Sequence, residues 1–175
     1  MKFYVPLIAL LGLAACSASV APTDPNAYRG YDVKISDAGT AACGNLQAGE
    51  VAVALKQTNA LRARTGQLAL SANPKLTKIA AQQACHMAMT GTMSHAGPSN
   101  EGPKQRAQAT GYQPRIIAEN IAAGPYSLTQ VVAQWEQSAA HRANSTLPAV
   151  REFGIGTATG PDGTRYWAAV YAGAK

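Results

Sequence analysis

The chain has 175 residues, with 15 Lys and Arg against 9 Asp and Glu, and a formal charge of +6. That length supports one domain with a substantial core. The cations are scattered and aromatic residues make up only 6%. This excludes a nucleic-acid face and leaves weak attraction to anionic lipid or cell-wall polymer.

Residues 1–15 read as an export signal, in which Lys2 precedes an apolar run, Phe3–Leu13, too short to span a membrane permanently. Leu13-Ala14-Ala15-Cys16 resembles the lipobox of bacterial lipoproteins, where the cysteine becomes the lipidated first residue. Ser17 is not the acidic residue of an inner-membrane retention signal. The expected location is therefore the cell envelope. In a Gram-negative cell that means an outer membrane lipoprotein facing the periplasm or the cell surface.

With Cys16 lipidated, two of the three cysteines remain, Cys43 and Cys85. An even pair in an exported chain is most simply a disulfide. It would close a loop of about forty residues, a constraint of roughly 4 kcal/mol in the chain-entropy model. Ser17–Ala48, rich in Ala, Ser, Pro, Gly and Asp, reads as a tether pinned at its end by Cys43. The organisation is thus a signal peptide (1–15), a tether (16–48) and a folded domain (49–175).

In the domain, Val51, Val53, Ala54, Leu55, Thr58, Leu61 and Arg62 follow helical spacing up to Gly66. Leu68–Leu70 is a short extended piece. Asn73-Pro74 caps a second helix whose inner stripe is Leu76, Ile79, Ala80, Gln83, Ala84 and Met87, ending at Gly91. A loop, 92–102, carries His95, and Pro103–Thr110 is a short third helix. The Ile-rich run Arg115–Gly124 is a buried strand holding Glu119 and Asn120. Ser127 and Gln130 form a capping box for a fourth helix containing Val131, Val132 and Trp135. Glu152–Thr159 and Thr164–Gly173 flank Gly160-Pro161-Asp162-Gly163, a hairpin signal. This order predicts an α+β fold.

Glu119 is the chemical focus. An ionised carboxylate in an apolar strand requires a cation, a metal or several donors. Either it lies at a wet cleft or it is a buried structural acid held by hydrogen bonds. His95 and His141, two of three histidines, are the candidate partners. Two imidazoles and a carboxylate form a donor set suited to a divalent metal, zinc in the common case. No His-Glu-x-x-His or Gly-x-Ser-x-Gly is present.

A series of motifs resembles the CAP superfamily of cysteine-rich secretory, antigen 5 and pathogenesis-related proteins (the SCP-like domain). They are Asn59-Ala60-Leu61-Arg62, Leu76–Ala88, Met93-Ser94-His95, Ala118-Glu119-Asn120-Ile121-Ala122, Trp135-x-x-Ser138-x-x-His141-Arg142-x-Asn144, Phe153-Gly154-Ile155-Gly156 and Tyr166-Trp167. The resemblance implies a three-layer α-β-α sandwich around a small antiparallel sheet, and a cleft of His and Glu that holds a divalent metal in several members. His95 and Glu119 match the first His and Glu of that pattern. Ser138 stands at the second Glu and Tyr166 at the second His, so both are expected to line the cleft. His141, one turn beyond Ser138 if the helix continues, could refill the same space. The expected function is that of an envelope-anchored, monomeric, non-enzymatic module binding a lipid or cell-wall ligand. The alternative is a metal-dependent hydrolase acting on peptide or cell-wall substrate.

Overall fold

The computed structural model describes residues 32–99 and 102–175. The expected signal peptide, Cys16 and the first half of the tether lie outside the described residues. The elements in chain order are β1 (Val33–Lys34), β2 (Ala42–Cys43), α1 (Ala48–Arg64), β3 (Ser71–Ala72), α2 (Pro74–Thr90) and β4 (Thr92–Met93). They continue with α3 (Pro103–Ala109), β5 (Pro114–Ala123), α4 (Leu128–Gln137), α5 (Ala139–Ser145), β6 (Glu152–Thr159) and β7 (Arg165–Ala174).

β6 and β7 form the expected hairpin, and β5 adds antiparallel to the far side of β7. β2 and β3 share the outer side of β6, β2 opposite Ala158 and Thr159, β3 opposite Glu152 and Phe153. β5 is therefore an edge strand of a five-stranded sheet. One face is covered by α2 and α3 over Leu76, Ile79, Met87, Tyr166 and Val170. The other is covered by α1 and α4 over Val51, Val131, Trp135, Phe153, Trp167 and Tyr171. The fold is an α+β sandwich of three layers. Each fully buried Leu, Ile, Val or Met side chain contributes about 1.5–3 kcal/mol.

Local chemistry explains how α2 meets the sheet. The Asn73 side chain accepts from the N–H groups of Lys75 and Leu76, and Pro74 opens the helix. Gly91 closes it at φ 64°, a left-handed conformation suited to glycine. The helix backbone lies directly on β6, because a Cβ at Gly154 would stand 2.1 Å from Thr77 N and one at Gly156 2.3 Å from Ala81 N. The Phe153-Gly154-Ile155-Gly156 motif is a packing device.

Several expectations shift. Residues 33–34 and 42–43, part of the tether by composition, pair with β4 and β6. The disulfide forms between Cys43 and Cys85, with the Cα atoms 5.1 Å apart, and joins β2 to α2. Leu68–Leu70 does not pair as a strand. The N–H and carbonyl of Leu70 bond instead to the Asn59 side chain at 2.8 and 3.0 Å, and pairing starts at Ser71. The fourth helix does not run on through His141. Ser138 is extended, at φ −81° and ψ 124°, so α4 stops and α5 restarts in a new direction. Ser138 thus caps the first turn of α5, on which His141 lies, while α4 and Trp135 are left on the other side of the break.

Candidate functional site

Glu119 lies opposite Val170 in the β5–β7 register, so its side chain points to the face covered by α2 and α3. Its neighbour Asn120 points the other way, towards α5. On the Glu119 side, Oε2 accepts from Arg106 Nη2 at 2.5 Å and Oε1 is bonded to His95 Nδ1 at 2.8 Å. Arg106 Nη1 then donates to the main-chain carbonyl of His95 at 2.9 Å. Strand, loop and α3 are thus closed into one cycle of three side chains. The Glu119 side chain is 1% exposed and that of Arg106 5%, whereas His95 is 21% exposed and carries the cycle to the surface.

The loop bearing His95 is held from α2 as well. Gln83, fully buried, donates to the carbonyls of Ser94 at 2.6 Å and Ala96 at 3.1 Å. Ser94 Oγ accepts from the N–H of Ala96. All three carbonyls from Ser94 to Ala96 therefore end on side chains of Gln83 and Arg106. Such support fixes the imidazole against the carboxylate before any ligand arrives.

Burial by itself would raise the Glu119 carboxyl pKa. The positive charge of Arg106 and the bonds to His95 and Arg106 outweigh burial and hold it below the ordinary value. The carboxylate is ionised at neutral pH and can only accept. Nδ1 of His95 therefore carries the proton.

His141 lies on α5, and its main-chain carbonyl accepts from Asn120 Nδ2 at 3.0 Å. Burial and the nearby charge of His95 lower its pKa, so it is neutral at pH 7. The structure brings His141 close to His95. The bonds to Glu119, however, come from His95, Arg106 and Asn144. Ser138 marks the junction of α4 and α5, and its side chain caps neither helix end. Tyr166, expected at the cleft, is instead fully buried in the core beneath α2, its hydroxyl 2.9 Å from Ser36 Oγ. On β7 it alternates with Trp167, and the face it takes is the one covered by α2 and α3.

Among the described residues no group of three His, Cys, Asp or Glu side chains is placed to hold a metal ion. As they stand, these residues do not fit zinc. Both oxygens of Glu119 are engaged, and a guanidinium 2.5 Å away repels a divalent cation. The expected set of His95, Glu119 and His141 resolves into a bonded pair and a separate neutral ring.

Sequence reasoning missed Arg106, reading it as one of the scattered surface cations. Its signal was the unmet demand of Glu119 for a positive charge. Gln83 left a similar trace, a polar residue on an apolar stripe. Arg62 on α1, Trp135 on α4 and Asn144 on α5, all from the family motifs, prove structural. Arg62, fully buried, donates to the carbonyls of Leu68, Ser145, Leu147 and Val150. Trp135 and Asn144 donate to main-chain carbonyls of β5. Glu136 has a side chain only 19% exposed, paired with Arg64 at 3.4 Å.

A separate cavity of about 810 Å³ opens between α2, α3 and the end of β2, lined by Cys43, Lys78, Cys85, His86, Met89 and Arg106 among others. Among the described residues no acidic side chain lines it. Arg106 thus stands in the wall of this cavity and in the Glu119 cycle.

The profile described as the cysteine-rich secretory protein family, CAP, matches residues 55–171, which contain every residue of the cycle. The chain belongs to the CAP family. This CAP domain resembles an outer surface protein of Borrelia burgdorferi, with a TM-score of 0.67 and 17% identity over 75% of this chain and 98% of that one. It also resembles an extracellular SCP-domain protein of Bacillus anthracis, with a TM-score of 0.64 and 20% identity over 74% of this chain and 45% of that one. A venom allergen-like protein of Schistosoma mansoni follows, with a TM-score of 0.54 and 14% identity over 74% and 91% of the two chains. At these identities the likeness is one of fold. No curated protein matches the chain at a significant level. CAP proteins are typically secreted or extracellular, and no helix among the described residues is long and apolar enough to cross a membrane.

Proposed function

We propose that this CAP domain is a non-enzymatic binding module, tethered to the cell envelope through lipid on Cys16, that takes an anionic lipid or cell-wall ligand. One observation carries the reading: both oxygens of Glu119 are already bonded, to Arg106 and to His95. A carboxylate so committed is poorly placed to activate water or to ligate a metal, which weakens the hydrolase alternative. The ligand class follows from the cavity beside it. Its volume of about 810 Å³ suits a small ligand or a lipid headgroup, and Lys78 supplies a positive charge with no acid among the described lining residues.

The test is co-sedimentation of the chain with phosphatidylglycerol vesicles, phosphatidylcholine vesicles and purified peptidoglycan sacculi. Retention on an anionic surface, weakened in Lys78→Glu, supports the reading. Release of soluble fragments from sacculi or peptide, abolished by His95→Ala, replaces it with hydrolysis. Anchoring is checked separately, by fatty-acid labelling that is lost in Cys16→Ser.

A further inference from the structure

We infer that Arg106 is the resident cation of this site and fills the role of a metal ion there, neutralising Glu119 and holding His95 against it without any metal. Glu119 belongs to a buried strand, its side chain 1% exposed, and a charge in that position must be neutralised. Arg106, itself 5% exposed, meets it at 2.5 Å. The guanidinium does more than neutralise. Its planar fork sends one N–H group to the carboxylate and another to the carbonyl of His95, so a single side chain fixes both the charge of the acid and the place of the imidazole.

A divalent ion entering beside Arg106 would leave one carboxylate facing three positive charges in a buried site. It could bind only by displacing the fork and both of its bonds. Arg106 is accordingly a positioning residue for His95, acting through the loop backbone and through Glu119. This holds whichever ligand the neighbouring cavity takes; it shares with the non-enzymatic reading above only the two bonds of Glu119, and zinc content and melting test it where vesicle and sacculus binding do not.

The experiment uses the full chain, purified without chelator, with metal content measured and melting followed in EDTA and in excess zinc chloride. Wild type is expected to carry well under one zinc per chain and to melt at the same temperature in both. Arg106→Met is expected to melt roughly 10 °C lower in EDTA, because a buried acid has lost its partner. The double variant Arg106→Met with Glu119→Gln is expected to recover most of that loss, and zinc to raise the melting temperature of Arg106→Met alone. Stoichiometric zinc on wild type that His95→Ala or Glu119→Gln abolishes would overturn the inference. So would an Arg106→Met variant as stable as wild type. If Arg106→Met does not fold, the double variant decides: folded, it supports the counter-charge role, and unfolded, it refutes it.

Discussion

Asn144 donates its side-chain amide to the main-chain carbonyl of Glu119 at 3.2 Å. Two residues along the same edge strand, Trp135 Nε1 donates to the carbonyl of Ile121, also at 3.2 Å. Among the described residues β5 has no strand neighbour beyond it, and an open edge exposes unpaired main-chain groups. The α4–α5 unit closes that edge with side chains. The break at Ser138 matters for this reason, since it turns α5 so that Asn144 reaches the strand.

Replacing Asn144 with Ala should therefore cost about 1–3 kcal/mol, the penalty of a part-buried carbonyl left without its donor. Asn144→Asp should cost more, because a carboxylate would face the Glu119 carbonyl and Asn120 Oδ1, both now satisfied by an amide. Urea unfolding of the two variants orders them. Equal stability of Asp and Ala at this position would contradict the donor role.

Gly156→Ala should destabilise by several kcal/mol, at the upper end of overpacking effects. The new methyl would stand 2.3 Å from Ala81 N, and helix backbone cannot yield as a flexible side chain does. Gly66→Ala is the useful contrast. Nothing lies within 4 Å of a Cβ there, and its φ of 71° is the sole source of strain. Thermal melts should show the larger loss at 156.

Acid should unfold the domain in two stages. The pKa of His141 lies below its ordinary value of 6.5 in the fold, so the unfolded chain binds that proton more readily. Stability from this ring is complete above pH 6.5 and is lost as pH falls through the lower folded value. Glu119 is likewise depressed, from 4.5, and its share is lost in a more acid window. His141→Asn should flatten the first window and leave the second, and Glu119→Gln should do the reverse. Urea midpoints taken across the acid range separate them. A first window unchanged in His141→Asn would reject the assignment.

Reduction of Cys43–Cys85, or Cys→Ser at both positions, should cost about 4 kcal/mol for a loop whose ends are 42 residues apart. The loss should be accompanied by fast amide exchange at Ala42 and Cys43, because β2 pairs with β6 through only two residues. Exchange mass spectrometry of reduced and oxidised protein reads both effects.

Local rules carried much of the fold. Asn73-Pro74 and Gly91 delimit α2 because a cap and a left-handed closure depend on residues within one turn of the helix end. The β6–β7 hairpin follows from its turn. The disulfide followed from counting cysteines on the expectation that the chain is exported. Pairing of β1 with β4 and of β2 with β6 had no such local signal, since two-residue strands have no periodicity to display.

The site divides in the same way. The Ile-rich run around Glu119 stated by itself that a carboxylate there needed a cation, a metal or several donors, or a wet cleft. It did not identify the cation. Arg106 reads as an ordinary basic residue along the chain, and only the docking of α3 against β5 brings its guanidinium to Glu119 and buries both. The demand for charge neutrality is a property of the strand, whereas its answer depends on which distant side chain the folded core leaves within hydrogen-bond reach.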